Sequence, residues 1–378
     1  MTVALVATVP HAGHRLYEQR LAAALAVHTR VAYLEPPTSP RSWAALRAGG
    51  SLVDGGQTLV QPAWTVPFTR RLRLGRLREA VAARAAARAI GHLGQEPSAV
   101  VFTEPSGALR AFPRARKVLL IKDDYVAGAH LLGQEPGAVE ARLRRSIAMA
   151  DAVVAVSPVL RERLRRYGVD AQVIPAGCTP AAPEVGAGTG ARSSRAPLAA
   201  FIGGVSPRVL PGHLQAVLDA GCDLVVVGGM SRNFAPGPQR TAIEALLAHP
   251  RVQWRGHVSA DEVTAVLADA DLGLVPYDDS SFNAASFPLK ILEYLGAGLP
   301  VVSTPLPAVE WIDTPQIRVE RDAAAFGAAA AHLARAVTPG TRAACRAVAG
   351  EHTWERRAQA WLAVLGDRDG QPQRGVAR

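Results

Sequence analysis

The sequence predicts an α/β protein built from two doubly wound units in tandem. Three observations predict it. At 378 residues the chain exceeds what one small core fills. Short β-branched runs alternate with alanine- and arginine-rich helical stretches, the pattern of parallel sheets crossed over by helices. A stretch rich in Gly, Pro, Ala and Ser, "TPAAPEVGAGTGARSSRAP" at 179–197, separates one alternating series from a second.

In the first series "VALVATV", "RVAYLE", "AVVFTE", "KVLLIKDD", "DAVVAVS" and "AQVIPAG" read as strands, with helices predicted at 15–27, 76–93, 136–149 and 158–167. The second series runs "LAAFIGG", "DLVVVGG", "RVQWRG", "LGLVPY", "LPVVST" and "IRVE". A last helix over about 352–365 carries Trp354, Trp361 and Leu365 near a helical period. The expected organisation is a first domain over 1–180, a linker over 181–197, a second domain over 198–350, a closing helix over 351–366 and a disordered tail over 367–378. Doubly wound sheets bind ligands beyond the carboxyl ends of their strands, and two facing domains would form a central cleft.

Apolar residues make up 49% of the chain and charged residues 20%, enough to bury cores and too little charge for global disorder. Three widely spaced cysteines, Cys178, Cys222 and Cys345, fit no metal-ligand pattern and suit a reduced cytoplasmic compartment. The start "MTVALVATVP" lacks the basic region of a signal peptide and reads as a first strand. No run approaches the ~18 apolar residues of a membrane span. Lysine and arginine outnumber the acids by 42 to 32, which favours anionic partners or reflects an arginine-rich composition. No aromatic-interleaved basic stripe, zinc finger or RNP-like motif is present, so no nucleic-acid partner is expected. The basic, partly amphipathic "RRLRLGRLREAVAARAAARAIGHL" suits either peripheral contact with an anionic membrane surface or a core helix with a solvated arginine face.

The most informative stretch is "SFPLKILEYLGAGLPVV", 286–302. Ser286 or Phe287 starts a helix there and Pro288 suits its first turn, because the missing N–H would be unpaired anyway. Lys290 and Glu293 then neighbour one another on one face. A helix start attracts phosphate, Lys290 adds a point charge, and the Glu293 carboxylate has two oxygens that suit a ribose diol. A nucleoside diphosphate would fit the pair; a solvated Lys–Glu pair is the plainer alternative.

"SFPLKILEYLGAGLPVVSTPLPAVE" closely resembles the donor-nucleotide motif of GT-B glycosyltransferases with the family 4 type of C-terminal domain. "RVQWRGHVSADEVTAVLADADLGLVPY" is similar to the segment preceding that motif. In the first half, "HRLYEQRLAAALAVHTRVAYLEPP" and "ADAVVAVSPVLRERLRRYGVDAQVIPAG" resemble the subgroup of teichuronic acid glycosyltransferases. The resemblance spans about 1–365 and is most specific over 257–309. It implies two Rossmann-like domains and sugar transfer from a UDP- or GDP-linked donor, with no bound cofactor or catalytic metal. It also implies that Glu293 holds the ribose and Lys290 the diphosphate. In "GGVSPR", Gly203 and Gly204 would let backbone approach phosphate and Arg208 would neutralise it. His257 and Val258, after Gly256, would face the base, with Met230 near the same pocket. The family's first glutamate, which touches the transferred sugar, is replaced here by Ala285, with Ser286 beside it. Donor sugar and anomeric outcome therefore stay open.

An inverting transferase requires a base to take the acceptor's proton. Asp123 and Asp124 end the strand "VLLIKDD" and point to opposite sides of an extended chain, so one of them would face the substrate. Asp124 is the first choice and Asp123 the second, with a turn or cap role as the alternative. His11 and His14, in the loop "PHAGHR", are further candidates, as solvated loop residues or as functional ones. Asp269 and Asp271 mimic a metal-binding triplet but more plausibly cap and pair. Asp278, Asp279, Ser280, Ser281 and Asn283 form a polar loop suited to sugar hydroxyls or to solvent. The expected function is glycosyl transfer from a nucleotide-diphosphate sugar to a polysaccharide, lipid-linked or secondary-metabolite hydroxyl. Two rivals are a GT-B nucleotide-sugar 2-epimerase, which would show more carboxylates and histidines, and a nucleotide-sugar sensor that binds without turnover.

Overall fold

The computed structural model describes residues 1–12, 16–36, 50–53, 58–61, 83–84, 88, 96–180 and 195–366. Most of the 76–93 helix, most of the 181–197 linker, the 367–378 tail and His14 lie outside the described residues. The chain divides into two compact units, Met1–Ala176 with Trp354–Arg378, and Gly177–Thr353.

The first unit contains β1 (Thr2–Val6), α1 (Tyr17–Ala26), β2 (Arg30–Leu34), β3 (Ser51–Val53), β4 (Thr58–Gln61), β5 (Ala99–Phe102), β6 (Arg116–Ile121), α2 (Pro136–Met149), β7 (Ala152–Ala155), α3 (Pro158–Arg165) and β8 (Gln172–Val173). The sheet order is β3-β4-β2-β1-β5-β6-β7-β8. Every neighbouring pair is parallel except β3 with β4. Val3, Ala4 and Leu5 of β1 and Val100 and Val101 of β5 are wholly buried, as both faces of a covered parallel sheet require. Helices α2 and α3 start as the sequence predicts, each with Pro in the first turn behind a capping side chain, Glu135 or Ser157.

The second unit runs β9 (Leu198–Ile202), α4 (Pro211–Asp219), β10 (Asp223–Val227), α5 (Pro238–Leu247), β11 (Val252–Trp254), α6 (Ala260–Asp269), β12 (Leu272–Val275), α7 (Ser281–Ala285), α8 (Leu289–Gly296), β13 (Val301–Ser303), α9 (Pro307–Ile312), β14 (Ile317–Val319), α10 (Ala323–Arg335) and α11 (Pro339–Gly350). Its six strands are all parallel, in the order β11-β10-β9-β12-β13-β14. The order reverses between β9 and β12, the kind of switch point where doubly wound sheets open a crevice at their carboxyl edge.

The division falls four residues before the expected end of the first domain. Cys178 bridges to Thr353, its N–H donates to the His352 carbonyl at 2.9 Å and its thiol to the Ala349 carbonyl at 3.3 Å. These bonds tie the residues after Ala176 into the second unit. The final helix, α12 (Trp354–Gly366), belongs to the first unit instead of standing apart. Trp354 meets the Tyr17 ring edge-on, and the Val364 carbonyl accepts from Arg116 Nε at 2.8 Å. No helix of the described residues is long and apolar enough to cross a membrane.

Candidate functional site

In the second unit the loops leaving β9, β10, β11 and β12 meet at the carboxyl edge. Gly203 N donates to Val227 O at 2.8 Å, Gly228 N to Gly256 O at 2.7 Å and Val205 N to Gly229 O at 3.0 Å. Gly203 has φ +138°, and a Cβ there would lie 2.5 Å from the Lys290 ammonium nitrogen. The positive φ favours glycine here, and a side chain would force the end of Lys290 to shift. Met230 pairs with Val205 in an isolated bridge, and the His257 ring packs against Gly229. Gly203, Gly204, Met230, His257 and Val258 thus share one edge of this sheet.

Helix α8 brings Lys290 and Glu293 to the same edge. It begins at Leu289, with Pro288 at its N-cap and not within the first turn; the preceding Ser286 caps the end of α7 instead. Tyr294 anchors the helix: its hydroxyl accepts from Ile202 N at 2.8 Å, and its ring lies so close to Gly273 that a Cβ there would be 2.2 Å away. The helix is thereby fixed across β9 and β12, at the switch point. Glu293 is half-buried one turn after Lys290.

Lys290 is only 8% exposed. Its ammonium hydrogen-bonds the Tyr277 hydroxyl and lies 4.2 Å from the Phe201 ring centre and 4.4 Å from that of Tyr277. Burial pulls its pKa below the ordinary lysine value, against the opposing influence of Tyr277. Burial alone would raise the Tyr277 phenol, but Lys290 and Arg208 outweigh it and hold the group below the usual phenol value. The Arg208 guanidinium lies 5.1 Å from the ring centres of both Tyr277 and Phe282 and donates to Asn283 Oδ1 at 3.1 Å. One aromatic ring thus organises both cations.

The three residues expected at the donor sugar have structural duties. Asn283 is buried, and its amide nitrogen donates to the Asp278 carbonyl at 3.1 Å and carboxylate at 2.5 Å. With its oxygen on Arg208, its inward-facing polar atoms hold the loop and the arginine. Ala285 is fully buried, and Ser286 Oγ donates to Phe282 O at 3.0 Å. The metal-triplet mimic is a brace: Asp271 accepts from Leu198 N at 2.9 Å and pairs with Arg195 at 3.2 Å. Among the described residues, no group of three or more His, Cys, Asp or Glu is placed to hold a metal ion.

In the first unit Asp124 sits at the strand end as the sequence implies, but both its oxygens are engaged. Oδ2 accepts from Arg163 at 2.6 Å and Oδ1 from Ala127 N at 3.0 Å. This carboxylate closes a turn and forms an ion pair, the turn role that the sequence offered as the alternative to a base, and Asp123 is half-buried beside it. The His11 ring meets the Tyr33 ring edge-on at 5.0 Å, and the His11 backbone N–H donates to Glu35 Oε1 at 3.1 Å.

Sequence reasoning passed over Glu18 and Lys122. Glu18, 1% exposed, accepts from Thr8 N at 2.7 Å, Thr8 Oγ1 at 2.6 Å and Val9 N at 3.2 Å, and is ion-paired to Lys122. Burial would raise its pKa, but Lys122 and these hydrogen bonds bring it below the ordinary carboxylate value. The signal was present: Lys122 ends the apolar run "VLLI" directly before Asp123. Tyr277, which closes "LGLVPY", is likewise not among the residues that the sequence singles out.

Residues 198–336 match the family described as glycosyl transferases group 1. An 85-residue segment is 39% identical to TuaH of Bacillus subtilis (strain 168), whose name assigns it to teichuronic acid biosynthesis as a glycosyltransferase. That match spans 21% of this chain and 21% of the relative. Sucrose-phosphate synthase from Thermosynechococcus elongatus is similar over 97% of this chain and 98% of its own, with a TM-score of 0.70 and 20% identity. Anabaena HepE, solved in complex with UDP-glucose, is similar over 97% and 99%, with a TM-score of 0.66 and 14% identity. The chain therefore has the GT-B fold of these solved structures, and its residues 198–336 match the glycosyl transferases group 1 family.

Proposed function

We propose that this protein is a glycosyltransferase that moves a sugar from a UDP- or GDP-linked donor to an acceptor hydroxyl without a bound catalytic metal. The observation that carries the reading is the convergence of Lys290 and Arg208 on Tyr277, beside Gly203, at the switch point of the second sheet. Two cations within one desolvated corner stabilise the negative charge that develops on a departing diphosphate. Their hydrogen-bond partners here are neutral, a phenol and an amide, so their charge stays available to an anion. Glu293 accepts from the ribose hydroxyls, and backbone at Gly203 and Gly204 borders the phosphates. In the transfer step the bond from the anomeric carbon to the diphosphate oxygen breaks, its electron pair leaving on that oxygen. The acceptor oxygen bonds to the anomeric carbon, and its proton passes to a general base. The HepE complex with UDP-glucose supports a UDP-sugar as the first donor to try.

One observation favours sensing without turnover: Ala285, fully buried, occupies the place where the family pattern has its sugar-contacting carboxylate. A single experiment separates the readings. Radiolabelled UDP- and GDP-sugars are incubated with the protein and a broad acceptor panel. Transfer, or slow donor hydrolysis that Lys290→Met abolishes, supports the enzyme. Tight binding with neither supports the sensor, and no binding defeats both.

A further inference from the structure

The loops after β9 and β10 bring four glycines against one another. A Cβ on Gly228 would collide with the Gly203 carbonyl, and one on Gly204 would lie 3.9 Å from Gly229 O. Gly228 has φ +135°, a backbone conformation that favours glycine as well. The result is a strip of backbone without side chains, from Gly203 to Gly229. Its two ends differ in chemistry. At Gly203 stands the Lys290 ammonium, with Arg208 joined to it through the Tyr277 ring. At Gly228 and Gly229 stand two rings, from the end of β11 and the loop after it. The Trp254 indole N–H donates to Gly228 O at 2.9 Å, and the His257 ring fills the space that a Gly229 side chain would need. Trp254 is 45% exposed. A lone exposed aromatic is ordinary on a protein surface. This one is tied at its nitrogen to the glycine strip, and a second exposed ring, His257, lies against the neighbouring glycine.

We propose that Trp254 is the surface on which the base of the donor nucleotide stacks. The inference rests on the donor-site reading above and adds the aromatic end of the nucleotide to it. A nucleoside diphosphate carries anionic groups at one end and a flat π system at the other. The glycine strip presents cations at one end and rings at the other, and between them the bare backbone lets a sugar–phosphate chain lie close. The indole N–H is already satisfied by Gly228, so a base can cover the ring without leaving a buried donor unpaired. Stacking on an aromatic ring accepts any base, because every base has a π face. Trp254 thus adds affinity for a nucleotide over a plain diphosphate and does not choose between uracil and guanine.

The test compares UDP and GDP with inorganic pyrophosphate, which has the anionic end alone, by titration calorimetry on the wild type and Trp254→Ala, with pyrophosphate as the competitor. UDP and GDP affinity should fall by about 10- to 100-fold in the variant, the usual worth of one stacked base, while pyrophosphate affinity stays within about twofold. Trp254→Phe, which keeps a flat ring but not the hydrogen bond to Gly228, should recover part of the loss, and Trp254→Leu should not. Equal losses for the nucleotides and pyrophosphate, or nucleotide affinity unchanged in Trp254→Ala, overturn the proposal. A wild type that binds neither nucleotide overturns the donor-site reading itself, so the two failures are distinct. Should Trp254→Ala not fold, or pyrophosphate bind too weakly to compete, tryptophan fluorescence of the wild type and Trp254→Phe decides the matter. Saturating UDP or GDP should quench the wild-type emission, and the quench should be lost in Trp254→Phe. An unquenched wild type, or an equal quench in both proteins, overturns the proposal.

Discussion

At the carboxyl edge of the first unit Lys122 is paired with the buried carboxylate of Glu18; at the corresponding edge of the second, Lys290 is paired with the phenol of Tyr277. Both lie beside a switch point, between β1 and β5 in one sheet and between β9 and β12 in the other. The first pair is internally neutralised. Glu18 also takes three hydrogen bonds from Thr8 and Val9, so the ion pair braces the loop after β1. The second pair keeps a net positive charge, and Arg208 adds to it across the same ring. The comparison teaches that one topology supports either a structural brace or an anion site, depending on whether the buried cation meets a carboxylate or a neutral group.

Breaking the brace should have the largest effect. Glu18→Ala strands Lys122 without its carboxylate and should cost roughly 3–5 kcal/mol in denaturant unfolding of the first unit, the usual penalty for one orphaned partner of a buried pair. UDP affinity should stay within about twofold, since no phosphate-binding cation is touched; a change near that produced by Lys290→Met would collapse the contrast between the edges. The pH dependence sharpens it. Because the folded Glu18 pKa is depressed, its stabilisation is fully present above the unfolded carboxylate value and is lost as pH falls through the folded one. Acid unfolding followed by circular dichroism should show this loss in the wild type and a flatter profile in Glu18→Gln.

Next in size is Gly203→Val. A side chain there meets both a positive φ and the Lys290 ammonium, so UDP affinity should fall by about two orders of magnitude or more, with ~1–3 kcal/mol of strain in thermal unfolding. Lys290→Met follows, with a loss of about 10- to 100-fold in UDP affinity, the worth of a charged hydrogen bond of about 1.5–3 kcal/mol. Asn283→Ala should give the smallest change. It frees Arg208 from one neutral hydrogen bond and should weaken UDP binding by a few-fold, in line with about 0.5–1.5 kcal/mol. If Asn283→Ala equals Lys290→Met, the asparagine contacts the ligand directly and its duty in the loop is secondary.

Much of this was legible in local patterns. The helices starting at Pro136 and Pro158 begin where proline and a capping side chain place them. Strands of the second series lie within the quoted runs, because parallel strands covered on both faces read as unbroken apolar segments. The short β3 pairs antiparallel with β4 and left no such signature: Ser51, Leu52 and Val53 are exposed or half-buried. In the site, "GGVSPR" and Lys-x-x-Glu were visible because their residues are close in sequence. The Asp124 ion pair was not legible because its partner, Arg163, is 39 residues away. The inward turn of the Asn283 amide was not legible, because nothing in the string shows it.

What the sequence by itself determined is the alternation of strands and helices, the glycine at 203 and the helix that carries Lys290 and Glu293. These depend on backbone preference and on side chains within one or two turns. Only the tertiary structure decided what each buried charge faces. Lys122 finds Glu18 across 104 positions, and Lys290 finds Tyr277 across 13 through the packing of α8 on β12. Desolvation makes those encounters decisive: a cation taken out of water is governed by the nearest polar group, and folding alone selects which group that is.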